Sequence, residues 1–138
     1  MSQNRKVLKI VSLLQVPIAL ALLIAGVLCC IGSLSPEGLE LFGVSLARET
    51  LRVVAGVTGL IAGITHFLLA REGIQGANKP RSLNNSVALT LIAVICSVVF
   101  TLLWNVAGFA LVVLGALSVV VIFIGALYRR RVLHELEW

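Results

Sequence analysis

Aspartate does not occur in this chain, and the six glutamates, at positions 37, 40, 49, 72, 135 and 137, all lie outside its long apolar stretches. No carboxylate is therefore available inside an apolar segment to carry protons, and no pair of acids is spaced for general acid and base work. Cysteine is scarce as well. Cys29, Cys30 and Cys96 contain no CxxC, so neither a zinc site nor a thiol–disulfide relay is indicated, and neighbours such as Cys29 and Cys30 can pair only as a strained ring. They read as small apolar packing residues. Charged residues make up 12% of the chain and aromatic residues 6%. That excludes a nucleic-acid reader, which needs a basic face interleaved with aromatics.

Hydrophobic residues are abundant, at 59% with a mean hydropathy of +1.09. A soluble domain of this composition has no polar surface left for water, so the chain reads as a membrane protein. The net charge of +5 is carried by basic residues at the ends of apolar runs. That placement reads as topology and contact with lipid head groups.

The chain is organised around Leu51 to Pro80. Its apolar part, 51–70, is long enough to cross a bilayer core at ~1.5 Å per residue. Helical spacing puts Ala55, Gly59, Ala62, Gly63 and His66 on one slim face, against which another helix can pack closely. Polarity changes at Arg71-Glu72, and Asn78-Lys79-Pro80 stops the helix, giving an expected element at 46–77.

Before it, residues 9–32 form a first membrane helix preceded by Arg5, Lys6 and Lys9. The run is too long for a signal-peptide core and no small-residue cleavage site follows, so the segment is expected to be retained. Pro17 removes a backbone donor inside it, and Ser12, Gln15, Ala19 and Gly26 share a stripe, which turns Gln15 toward protein. The outer loop, 33–50, opens with Ser35-Pro36-Glu37, a cap, a proline and an acid, and has an apolar side through Leu39, Leu41, Phe42, Val44 and Leu46. A short interfacial helix is expected there, with Ser45 capping the second span and Arg48 and Arg52 snorkelling to head groups.

A third span is expected at 86–104, with Thr90, Ser97 and Thr101 on one face, and a fourth at 108–128, with Gly108, Gly115, Ser118 and Gly125 making a seam. The link between them, Asn105 to Gly108, is so short that the two must pack side by side. The tail, 129–138, carries Arg129, Arg130 and Arg131 and an apolar side that would lay it on the membrane surface. Three Lys+Arg lie in the amino-terminal segment, three between Arg71 and Asn85 and three in the tail, leaving two for the opposite side. The positive-inside rule then puts both termini in the cytoplasm, and Trp104 and Tyr128 fit aromatic belts. The fold class is an all-α membrane protein, an antiparallel bundle of four transmembrane helices forming one domain.

Two local comparisons bear on activity. The size resembles that of the small multidrug-resistance transporters and of four-span quinone reductases, but the buried carboxylate of the one and the CxxC of the other are missing. Gly73-Ile74-Gln75-Gly76-Ala77-Asn78-Lys79-Pro80, after a glycine-rich span, looks like the helix exit of uncharacterised small four-span bacterial integral membrane proteins. The resemblance implies a four-helix arrangement with this loop on the inside and brings no activity with it.

The expected role is non-enzymatic, as a subunit or accessory factor of a membrane complex, with no cofactor and no metal. The alternative is a small transporter or channel, with a homo-oligomer as one form, whose polar path uses Gln15, His66, Thr90, Ser97 and Thr101. Gly59, Gly63, Gly115, Ser118 and Gly125 are the helix-packing residues. Arg5, Lys6, Lys9, Arg129, Arg130 and Arg131 are expected at anionic lipid head groups. His66 is also a position at which an imidazole could ligate metal or haem, while a hydrogen bond to Thr90, Ser97 or a carbonyl is its structural role.

Overall fold

The structure is a computed structural model that describes residues 2–31, 40–41, 44–45, 48–83, 87–103 and 109–136. Four helices account for most of them: α1 (Gln3–Cys30), α2 (Arg48–Asn78), α3 (Val87–Leu103) and α4 (Phe109–Glu135). Among the described residues, α1, α2 and α4 contain stretches long and apolar enough to cross a membrane, and α3 is a shorter apolar helix of 17 residues. Each helix packs mainly on two neighbours, α1 on α2 and α4, and α3 on α2 and α4.

The helices begin and end where local chemistry dictates. Ser2 caps α1 by accepting from the Arg5 amide at 3.3 Å, so α1 starts well before the expected residue 9. Its first turn is then held from two sides. Glu135 at the end of α4 accepts from the Ser2 hydroxyl and the Asn4 amide, placing a negative charge at the positive end of the α1 dipole. Arg5 donates to the Ala77 and Asn78 carbonyls at 2.8 and 3.2 Å, and Lys9 to the Asn78 side chain at 3.3 Å. Arg5 thereby satisfies carbonyls that the end of α2 leaves without helical partners. Lys79 and a 3-10 turn at Pro80–Ser82 follow, as the proline stop requires.

At its other end α1 meets the beginning of α2. A Cβ on Gly26 would lie 2.8 Å from the Leu60 amide nitrogen and 3.0 Å from the Gly56 carbonyl oxygen, so the two backbones touch there as only glycine allows. Further along, Gly63 faces the Ala19 carbonyl and Leu23. The slim face of α2 expected from sequence, Ala55, Gly59, Ala62, Gly63 and His66, is buried throughout. Its apolar centre packs Leu22, Ala25 and Cys29 of α1 with Phe100 of α3.

Two expectations are corrected. The segment after residue 128 is not a separate surface tail, because α4 continues to Glu135. Val132 returns to the interior one turn beyond Arg129 and packs with Leu8 and Leu83, which carries the helix on. In the outer loop, Glu40–Leu41 pairs antiparallel with Val44–Ser45, in register Glu40↔Ser45 and Leu41↔Val44. A continuous interfacial helix is therefore excluded at these positions, and Ser45 does not cap α2. The Ser35-Pro36-Glu37 cap, Trp104 and the Asn105 to Gly108 link lie outside the described residues.

A buried arginine and a buried histidine as candidate functional site

The polar residues expected along one path fall into two groups. The first centres on His66, which is fully buried on α2 and faces the equally buried Ser97 on α3. Ser97 Oγ and His66 Nε2 are 3.4 Å apart, and the tautomer decides which of them donates. His66 Nδ1 has no hydrogen-bond partner among the described residues. The neighbouring hydroxyls turn to their own helices. Thr101 donates to the Ser97 carbonyl at 2.7 Å, and Ser118 to the Gly115 carbonyl at 2.6 Å. Such bonds to the preceding turn satisfy a hydroxyl without offering it to a solute.

The second group centres on Arg129, which is 3% exposed. Its Nη2 donates to the Leu69 carbonyl at 3.0 Å, tying α4 to α2, and Glu72 supplies the nearby opposite charge. Glycine at position 73 makes room for Ser12 beside this group, because a Cβ there would run into the Ser12 side chain. Gln15 and Thr90, with Leu69, Ile122, Gly125 and Arg129, enclose a void of about 10 Å³. That is on the order of one water molecule. Arg129 Nε and Ser12 Oγ have no partner among the described residues. The group of one arginine, one amide and two hydroxyls, with Glu72 nearby, offers hydrogen bonds between helices, of which the Arg129 to Leu69 bond is one.

Arg129 is thus not at the head groups. Arg130 and Arg131 are exposed as expected, Arg131 lying over the Tyr128 ring at 5.0 Å. Lys6 is exposed, whereas Arg5 and Lys9 hold the end of α2. The burial of Arg129 has a signal in the sequence. Gly115, Ser118, Ile122, Gly125, Arg129 and Val132 are separated by three, four, three, four and three residues, and all are buried; extending the expected seam by one step lands on the arginine.

The packing residues divide by tightness. Gly59 lies against Phe100 and Gly26, Gly63 against the Ala19 carbonyl, and Gly115 against Thr101. At Gly125 a Cβ would meet Val11 and Gln15 only at 3.7 and 4.0 Å, an ordinary contact distance. Cys29, Cys30 and Cys96 are free thiols, and among the described residues no group of three His, Cys, Asp or Glu side chains is placed to hold a metal ion. No family model matches the chain, and neither a curated protein nor a solved structure matches it.

Proposed function

We propose that the chain is a multi-pass protein of the cytoplasmic (inner) membrane, an antiparallel four-helix bundle with both termini in the cytoplasm, serving without enzymatic activity as a subunit or accessory factor of a membrane complex. The observation that carries this reading is the use made of the interior polar groups. Arg129 is spent on the Leu69 carbonyl, Thr101 and Ser118 on carbonyls of their own helices, and His66 faces Ser97. These bonds join helix to helix or close on one helix. The space beside Gln15, Thr90 and Arg129 is about 10 Å³, far below the several hundred Å³ of an ordinary ligand pocket. A transporter or channel needs Gln15, His66, Thr90, Ser97 and Thr101 to share a hydrated path, and they are instead divided between two local groups.

The membrane part of the reading rests on the exposed apolar side chains around the helices, Ile10, Leu14, Ile24, Ile64, Phe67, Ile95 and Phe123 among them. α3, at ~1.5 Å per residue, covers about 26 Å, close to the thickness of a bilayer core. Contacts of Arg5 with the end of α2, and of Gly26 with its beginning, support opposed directions for the first two spans. The resemblance of the 73–80 segment to helix exits in small four-span bacterial proteins supports the same arrangement. Purification in mild detergent, with identification of the proteins that accompany the chain, tests the role. Repeated recovery of a lone monomer, from membranes in which the chain is abundant, overturns it.

A further inference from the structure

Between the first turn of α1 and the last turns of α4 the surface opens into a cleft of about 720 Å³, walled by Asn4, Arg130, Arg131, His134 and Glu135 with Leu127 as an apolar wall. The single acid of this wall, Glu135, accepts from Ser2 and Asn4 and so is directed to α1. Arg131 is steadied over the Tyr128 ring. Two guanidinium groups against one carboxylate give the wall a net positive charge.

Helical spacing extends the cleft in one direction. Phe123 and Ile124, 61% and 38% exposed, precede Leu127, itself 49% exposed, by four and three residues. Arg130 and Arg131 follow Leu127 by three and four, so one outward stripe of α4 changes from hydrocarbon to guanidinium at the cleft. Paired guanidinium groups suit the oxygens of a phosphodiester, and the apolar stripe suits an acyl chain. Inorganic phosphate offers the same oxygens but nothing for Leu127.

We propose that the cleft between the α1 amino terminus and the end of α4 binds the phosphodiester head group of an anionic phospholipid, Arg130 and Arg131 taking the phosphate oxygens and an acyl chain following Leu127 and Ile124. The proposal rests on the membrane reading above. It differs from general attraction to a charged leaflet in being a site, with a place for one head group.

The test uses the full chain in nanodiscs of phosphatidylcholine and phosphatidylglycerol, with native mass spectrometry counting the lipids retained after release. The unaltered chain is expected to hold phosphatidylglycerol selectively, and R130Q/R131Q to weaken that retention by on the order of tenfold. The variant R71Q/R81Q removes as much charge at exposed positions outside the cleft and is expected to change retention by less than about twofold. Leu127→Gln keeps both guanidinium groups and is expected to loosen the lipid too, so the result does not depend on the double variant alone. Equal losses in R130Q/R131Q and R71Q/R81Q overturn the proposal, as does displacement of the lipid by inorganic phosphate. Release of the unaltered chain from membranes by alkaline carbonate would instead defeat the membrane reading itself, which separates the two failures.

Discussion

The same substitution, glycine to alanine, is expected to have opposite effects at two buried glycines of this bundle. At Gly26 the added methyl would sit 2.8 Å from the Leu60 amide nitrogen, 2.9 Å from Leu60 Cγ and 3.0 Å from the Gly56 carbonyl oxygen. Two of these three atoms belong to the α2 backbone and cannot rotate away, so α1 and α2 must separate by roughly 0.5–1 Å to restore normal contact. A gap of that size forfeits about a quarter to a half of the dispersion energy along the seam, and overpacking of this kind costs ~1–3 kcal/mol. The gain in helix propensity recovers up to ~1 kcal/mol. Gly26→Ala is therefore expected to destabilise by ~1–2 kcal/mol. At Gly125 the methyl finds Val11 and Gln15 at 3.7 and 4.0 Å, so the propensity gain of up to ~1 kcal/mol is opposed by little. Titration of dodecyl maltoside micelles with dodecyl sulfate, followed by far-ultraviolet circular dichroism, reads both stabilities. The two variants should differ by ~2 kcal/mol, with Gly125→Ala at or above the parent. If Gly26→Ala is as stable as Gly125→Ala, the close approach of the α1 and α2 backbones is not what holds this end together.

Further outcomes follow from the polar contacts. Arg129→Met removes the bond from α4 to the Leu69 carbonyl and leaves Glu72 without its nearby cation, and is expected to destabilise by ~1–3 kcal/mol in the same titration. Glu72→Gln, which leaves the guanidinium without its nearby opposite charge, is expected to destabilise by ~1 kcal/mol or more. Ser97→Ala should cost less than ~1 kcal/mol, because its contact with His66 is long at 3.4 Å; a loss above ~2 kcal/mol would show that the pair carries more than packing. Glu135→Ala should accelerate amide hydrogen exchange in the first turn of α1, measured by mass spectrometry, while the Gly26 end of the same helix keeps its protection.

Much of this architecture is legible in the residues. The recurrence of small side chains from Ala55 to His66 identifies the buried face of α2, and Pro80 marks its end, because both depend on local spacing and backbone chemistry. The facing of His66 and Ser97 also follows from two small-and-polar stripes that must meet. Arg129 was hidden by its neighbours. Three consecutive arginines after an apolar run look like a basic flank, and only the continuation of the three-and-four spacing of α4 shows that the first of them turns inward. The role of Arg5 at the end of α2 and the link between Glu135 and Ser2 were not readable, since each joins residues at least 72 positions apart. Local periodicity contains no term for such pairs. The Glu40 to Ser45 pairing is hidden for a different reason: a proline and an acid upstream favour a helix start.

The meeting of Ser2 with Glu135 makes the described chain close to a ring. A few added residues would suffice to join its two ends, and fresh ends could then be opened elsewhere, for instance after Ser82, with the order of the helices around the circle unchanged. A permuted chain of that kind would also carry any reporter fused to it away from the corner where Ser2 and Glu135 meet.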